Sequence, residues 1–257
     1  MPVSDSVSRP DTDADGDRLP INELFASLQG EGKLAGVPST FVRTSGCNLR
    51  CWFCDSYHTS WEPTHAWMGV EEVVAEVDAL APEHVVVTGG EPLVHDETAT
   101  LLSELADEYH LTVETNGTLE TDAPVDLASI SPKLASSTPT PENAPTDTDP
   151  GVWTDKHESA RIDLDSLASL VDHADDFQLK FVVTGRDDLP EIESLVDDIR
   201  GVTSREVRDS DVLLMPEGQT RDALARTRTD VADLAAEFGY RYTPRLHVDL
   251  WNDAPET

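Results

Sequence analysis

Apolar positions along the chain alternate between short runs and helical stripes. From Ile21 the stretch I-N-E-L-F-A-S-L-Q predicts a strand ending at Gln29-Gly30-Glu31-Gly32, where two glycines permit a tight turn beside a ligand. Ser39 to Arg43 is β-branched and aromatic and predicts a second strand. Val70, Val73, Val74, Val77 and Leu80 recur at helical spacing, so residues 69–80 are expected to form an amphipathic helix. His84 to Thr88 reads as a strand closed by Gly89-Gly90-Glu91-Pro92, and Leu101, Leu102 and Leu105 mark the next helix. Further strands are expected at Leu111–Thr115, ending in Asn116-Gly117, and at Val125–Ile130, ending in Ser131-Pro132-Lys133. A helix around Leu164, Leu167, Leu170 and Val171 then precedes a strand at Phe177–Val183. A helix carrying Ile192, Leu195, Val196 and Ile199 precedes a strand at Val212–Met215, and a last helix over 224–238 leads to a C-terminal segment, Arg241–Trp251.

Strands alternating with helices predict an α/β fold built as a parallel β/α barrel, whole or partial, with its active site on the loops at the C-terminal edge of the strands. Every unusual short motif of this chain follows a predicted strand. Residues 134–160 break the rhythm with repeated Pro, Thr, Asp and Ser, and read as an acidic surface insertion in which Trp153 is the exception. Residues 1–18 read as a disordered acidic leader, which leaves 19–257 as a single domain.

Composition narrows the function classes. The 257 residues hold 51 acidic against 18 basic side chains, a net charge of −33 spread through every segment, and this favours solubility in a very salty cytoplasm over a binding patch. Direct nucleic-acid binding is not expected with such a field. No apolar run approaches the roughly 20 residues of a membrane span, and no secretory h-region is present, so the expected location is cytoplasmic. In so acidic a chain the lysines stand out: Lys33, Lys133, Lys156 and Lys180, two of them within strand-end motifs. Trp52, Trp61, Trp67 and Trp251 read as packing residues, and His58, His65, His84, His95 and His247 as structural or exposed, since they lack ligand spacing.

All three cysteines, Cys47, Cys51 and Cys54, fall within Arg43–Ser56 at the spacing C-x3-C-x2-C. A disulfide framework suits an odd, closely spaced set poorly. A zinc site would need Asp55 or His58 as fourth ligand. A 4Fe–4S cluster held by three thiolates would leave one iron open to a small molecule.

With an aromatic residue, Phe53, before its last cysteine, this loop resembles that of the radical S-adenosylmethionine (SAM) enzymes, in which the open iron is chelated by SAM and an electron from the cluster yields a 5′-deoxyadenosyl radical. The combination of S-L-Q-G-E-G, F-V-R-T-S-G-C, W-F-C-D-S-Y, T-G-G-E-P, E-T-N-G, S-P-K and Q-L-K-F-V, spanning Ile21 to Trp251, resembles the 7-carboxy-7-deazaguanine synthase family. The resemblance implies a partial, open barrel and conversion of 6-carboxy-5,6,7,8-tetrahydropterin to 7-carboxy-7-deazaguanine with loss of ammonia, toward the queuosine or archaeosine of tRNA.

Carried over by motif, Cys47, Cys51 and Cys54 would hold the 4Fe–4S cluster and Ser56 would ligate Mg²⁺. Phe53, Cys54, Asp55, Gly90, Ser131, Pro132, Lys133, Gln178, Lys180 and Phe181 would contact SAM. Leu28, Gln29, Gly30, Glu31 and Thr88 would hold the pterin, Arg43 would pair with its carboxylate, and Glu31 is the candidate general base. A homodimer and an electron donor such as flavodoxin or ferredoxin are also implied. Two rivals share parts of the pattern: a radical SAM activase of a glycyl-radical enzyme, and a noncatalytic zinc-binding protein.

Overall fold

The computed structural model describes residues 17–145, 150–252 and 254. Most of the expected leader and residues 146–149 of the expected insertion lie outside them. The elements run β1 (Arg18–Leu28), β2 (Pro38–Thr44), α1 (Tyr57–Ser60), β3 (Ala66–Gly69), α2 (Val70–Asp78), β4 (His84–Gly89), α3 (Glu97–Leu105), β5 (His110–Thr115) and β6 (Leu127–Ile130). They continue as α4 (Val152–Ala160), α5 (Leu164–His173), β7 (Asp176–Val183), α6 (Leu189–Val202), β8 (Val212–Pro216), α7 (Arg221–Phe238), β9 (Arg241–Tyr242) and α8 (Leu246–Trp251). Short 3₁₀ turns connect several of them.

Among the described residues the strands form one nine-stranded sheet in the order β3-β1-β2-β4-β5-β6-β7-β8-β9. The pairs β1/β2 and β1/β3 are antiparallel, and from β2 to β9 every pairing is parallel. β3 and β9 are free edges, so the barrel is open, as the resemblance implied.

Period-two alternation assigns the two faces. Val85, Val87, Leu111, Val113, Ala128, Ile130, Leu179, Phe181 and Val183 point to the outer face and pack in one core with the buried sides of the helices. In α2, Val70, Val73 and Val77 face that core, and the helix starts where the Glu72 carboxylate accepts from the Gly69 N–H at 2.7 Å. α5 starts at Asp163, whose side chain accepts from the Ser166 N–H at 3.0 Å. The inner face is mostly polar. Its apolar residues include a small cluster of Phe25, Phe41 and Val86, with the two rings stacked at 5.2 Å, and Val182 and Met215, which line the cavity.

Two expectations change. The first strand begins at Arg18, three residues early, because Arg18–Ile21 pair with β3, a strand too short and irregular for periodicity to reveal. The insertion also contains more structure than its composition implied. α4 fills 152–160, with His157 fully buried, and Ser137 is buried in the turn before it. Both are covered by tertiary contacts with the cysteine loop, which no local pattern encodes.

Candidate active site

The register of the sheet lays polar side chains across its inner face. Glu23 pairs with Arg43 across β1/β2, Arg43 with Thr88 across β2/β4, Glu114 with Ser129 across β5/β6, and Ser129 with Gln178 across β6/β7. Thr88 and Glu114 are joined directly, the threonine hydroxyl donating to the carboxylate at 3.0 Å. Above this row the C-terminal strand ends surround a cavity of about 580 Å³, within the range of small-molecule sites.

One end of the cavity is a compact charged network. Lys180 lies 2.5 Å from Glu31 and 3.7 Å from Glu114. Arg245 donates from Nε to Glu31 at 3.1 Å, from Nη1 to the Gly218 carbonyl at 2.6 Å, and from Nη2 to Asp55. Burial alone would raise the Glu31 carboxyl, but Lys180 and Arg245 hold it well below the usual carboxylate range. Burial works against the charge of Lys180 as well; Glu114 and Glu31 reverse it and push the ammonium above its ordinary value. Gln29 donates to Glu114 at 3.2 Å and accepts from the Glu31 N–H at 3.1 Å. Beside it, Gly30 is needed because a Cβ there would lie 1.9 Å from the His247 ring, and the Gly30 carbonyl accepts from the Leu246 N–H at 2.8 Å.

Arg43 stands on β2 at the cavity wall. Its Nη1 donates to Ser56 Oγ at 2.8 Å, its Nε lies 3.0 Å from Glu23 outside hydrogen-bond geometry, and its guanidinium lies 5.8 Å from the Phe25 ring centre. An ion pair with an acidic neighbour is therefore present. The fork remains at the cavity, where a carboxylate could engage it. Ser56 Oγ is also 3.2 Å from Asp55 Oδ1, placing two hard oxygen donors side by side.

The same cavity holds the cysteines. Cys47, Cys51 and Cys54 all line the cavity, none is in a disulfide, and burial raises all three thiols, Cys47 and Cys54 to about 12. Among the described residues no three His, Cys, Asp or Glu side chains form a set for a single metal ion. The loop fits a larger group: three unpaired thiols on one wall, next to a glycine turn, match the ligation of an iron–sulfur cluster by thiolates. Gly90 donates to the Thr44 carbonyl at 3.1 Å and Glu91 to the Gly46 carbonyl at 2.8 Å, so the G-G-E-P turn is hydrogen-bonded to the start of the cysteine loop. A Cβ on Gly90 would lie 2.2 Å from the Gly46 carbonyl oxygen. The fully buried Glu91 side chain accepts from Thr115 Oγ1 at 2.9 Å, from the Asn116 N–H at 2.6 Å and from the Leu93 N–H at 3.1 Å. Burial outweighs these bonds and raises its carboxyl to about 7. Asn116 in turn donates to Asn48 inside the cysteine loop at 2.9 Å, which joins E-T-N-G to the same structure.

Of the residues singled out in the sequence, Leu28, Gln29, Gly30, Glu31, Arg43, Phe53, Asp55, Ser56, Thr88, Gly90, Ser131, Lys133 and Lys180 line this one cavity with the three cysteines. Pro132, Gln178 and Phe181 lie outside it. Phe181 follows Lys180 on the strand and so points into the outer core. Gln178 shares the parity of Lys180 but is spent lower down, donating to Ser129 Oγ at 2.8 Å and accepting from the Lys33 N–H at 2.7 Å. Sequence reasoning quoted Glu91 and Glu114 within their motifs but gave neither a role, and it missed Arg245 and the cavity position of His247. Glu114 had a visible signal, since it shares the inward parity of Thr112 in a strand whose Leu111 and Val113 face out. Arg245 had only its rarity as a base in an acidic chain.

Comparison with known proteins agrees with this geometry. The radical SAM superfamily model matches residues 41–132, from Phe41 on β2 through the cysteine loop to Pro132. A 7-carboxy-7-deazaguanine synthase of Halobacterium salinarum is 62% identical over the whole of both chains. Another, of Rhodopirellula baltica, is 37% identical over 96% of this chain and 93% of its own. The solved structure of QueE from Escherichia coli superposes with a TM-score of 0.62 at 25% identity, covering 90% of this chain and 95% of that one. With a cysteine loop, glycine turn and strand-end cavity in place, and with relatives matched from end to end, the chain belongs to the 7-carboxy-7-deazaguanine synthase family of radical SAM enzymes.

Proposed function

We propose that the protein converts 6-carboxy-5,6,7,8-tetrahydropterin to 7-carboxy-7-deazaguanine with loss of ammonia. The observation that carries this reading is a single cavity lined by two chemically distinct sets of groups: thiols and a glycine turn, and Gln29, Thr88, Glu114 and Arg43. Amide, hydroxyl and carboxylate groups can meet the donor and acceptor edge of a pterin, and a guanidinium matches its carboxylate. When bound, the 4Fe–4S cluster and SAM supply a reductively generated carbon radical, chemistry that no side chain here provides.

The chain's own residues bind, orient and exclude water. Cys47, Cys51 and Cys54 would hold the cluster. Phe53, Asp55, Gly90, Ser131 and Lys133 would border SAM. Leu28, Gln29, Gly30, Thr88 and Arg43 would fix the ring so that the carbon bearing the carboxylate faces the cofactor end. Glu31 is the proposed base for a proton leaving the ring system. That role requires substrate to displace Lys180 or Arg245, because with both cations in place its carboxylate is a weak proton acceptor. Ser56, with Asp55 beside it, is the proposed Mg²⁺ ligand, and a magnesium ion there would orient substrate oxygens.

The same reading includes a homodimer, a flavodoxin- or ferredoxin-type electron donor, a cytoplasmic location, and a single catalytic domain over 19–257 with a leader at 1–18. Among the described residues, no helix is long and apolar enough to cross a membrane. The test is an anaerobic reaction in high salt with reconstituted protein, reductant, SAM, Mg²⁺ and the carboxypterin, read by mass spectrometry. Formation of 7-carboxy-7-deazaguanine with 5′-deoxyadenosine is expected. Reductive cleavage of SAM without that product would reject the substrate.

A further inference from the structure

The last limb of the cysteine loop is Phe53, Cys54 and Asp55, and all three residues are held by one distant unit. Gln219, on the turn between β8 and α7, donates from Nε2 to the Phe53 carbonyl at 3.2 Å and to the Cys54 carbonyl at 3.1 Å. Arg245 donates to the Asp55 carboxylate and, from Nη1, to the Gly218 carbonyl at 2.6 Å. Backbone at 53 and 54 and side chain at 55 are thus tied to Gln219 and Arg245, at least 165 residues away in sequence.

The turn that carries Gln219 is itself fixed on both sides. The Glu217 N–H donates to the Val183 carbonyl at 3.0 Å, and the Glu217 carbonyl accepts from Thr227 Oγ1 at 2.9 Å. Thr220 caps α7, its Oγ1 accepting from the Ala223 N–H at 3.2 Å. With Arg245 on Gly218, the neighbours of Gln219 are joined to β7, to α7 and to the start of α8. Gln219 is exposed and also lines the cavity, so it stands at the rim and fills no core. Its amide nitrogen carries two protons, enough for the two carbonyls. Those carbonyls belong to the two peptide planes that flank Cys54. A backbone carbonyl deprived of its donor turns to water or to another partner, so removal of this amide releases both planes.

We propose that Gln219 is a positioning residue for the cofactor wall of the cavity: by fixing the two peptide planes that flank Cys54, it holds Phe53, Cys54 and Asp55 in the arrangement that SAM meets, and so sets SAM affinity. The inference rests on the reading of this loop as the wall that holds the cluster and borders SAM. Order already present in the protein need not be supplied by the ligand, so a limb released at Cys54 binds SAM more weakly. Retention of the cluster depends on the three thiolates and is not expected to change.

The test uses the full chain, reconstituted anaerobically in high salt, as wild type, Gln219→Ala, Gln219→Glu and Gln219→Lys. Iron and sulfide per chain, the SAM dissociation constant by calorimetry, and amide hydrogen exchange across residues 49–58 before SAM is added are measured. Gln219→Ala is expected to keep wild-type iron and sulfide and to exchange faster across that segment. Its Kd for SAM should rise at least about fivefold, the contribution of one ordinary hydrogen bond. Gln219→Glu, of the same length but with an acceptor facing two carbonyls, should weaken SAM binding at least as much. Gln219→Lys, whose ammonium still donates, should recover most of both losses. Because the side chain is exposed, all three variants are expected to fold. Wild-type SAM affinity in Gln219→Ala and Gln219→Glu would overturn the inference while leaving the cluster reading intact. Weaker SAM binding with wild-type exchange would make Gln219 a direct SAM contact and overturn the positioning role. A wild-type protein that holds no iron and sulfide, or that holds them and binds no SAM, would overturn both the inference and the reading beneath it.

Discussion

Lys180 on β7 reaches back 149 residues to Glu31 in the turn after β1, with 2.5 Å between ammonium and carboxylate and side-chain exposures of 5% and 12%. This pair joins the first antiparallel strand to the later parallel half of the sheet at the level of the cavity. Lys180→Met would leave Glu31 buried with Arg245 as its remaining close cation, and the expected loss is about 3–5 kcal/mol. Denaturant unfolding in concentrated KCl checks this; a change below about 1 kcal/mol would mean that desolvation cancels the pair. Because the folded Glu31 pKa is depressed, its contribution is full above the unfolded value of about 4.3 and is lost as pH falls below it.

Arg43 tests substrate recognition. Arg43→Ala should raise KM for the carboxypterin by at least about thirtyfold, the 2 kcal/mol lower limit for truncating a buried charge pair. Arg43→Lys should recover only part of it, since an ammonium cannot offer a planar fork. A pterin lacking the carboxylate should show little difference between wild type and Arg43→Ala. A KM unaffected in both variants would assign Arg43 to its Glu23 and Ser56 contacts alone.

Two glycine substitutions should have opposite outcomes. A Cβ on Gly90 meets the backbone oxygens of Gly46 at 2.2 Å and Thr59 at 2.8 Å, none of which belongs to a flexible side chain. Gly90→Ala should lower stability by about 1–3 kcal/mol through overpacking and weaken SAM binding, measured by calorimetry, at least tenfold. Gly201, inside α6, has open space around its Cβ direction, and Gly201→Ala should stabilise by about 0.5–1 kcal/mol. Equal effects at the two sites would refute the close-approach argument.

His84 binds three adjacent strands, with Nδ1 2.7 Å from Ser39 Oγ on β2 and Nε2 2.8 Å from Thr112 Oγ1 on β5. Burial, helped by His110 nearby, lowers its pKa to about 4. The unfolded chain, with His near 6.5, therefore binds more protons between about pH 6.5 and 4, so stability rises with pH across that window and is lost on acidification. His84→Gln should flatten that part of the stability–pH curve. A slope identical to wild type would show that His84 does not carry the linkage.

The charge of −33 predicts a salt requirement. Midpoint temperature should climb steadily with KCl well beyond 0.15 M, where the Debye length is already near 8 Å, because repulsion summed over the surface needs further screening. Full stability in dilute buffer would sink this expectation.

Period-two and helical patterning determined the alternating α/β order, and C-x3-C-x2-C with T-G-G-E-P, E-T-N-G and S-P-K determined which loops carry chemistry, because such motifs are contiguous and need no knowledge of the fold. Strand parity even held the outward turn of Phe181, which places it in the core beside Lys180 in the cavity. What the tertiary structure alone decided is adjacency. Strand order and register put Glu23, Arg43, Thr88 and Glu114 along one row, a chain end brought Arg245 between Glu31 and Asp55, and a segment without apolar period set Ser137 and His157 behind the cysteines. The physical reason is range: helix and strand periods arise from neighbours a few residues apart. A buried carboxylate, guanidinium or imidazole instead finds its partner across the fold, where desolvation makes the partner necessary and the sequence leaves it unmarked.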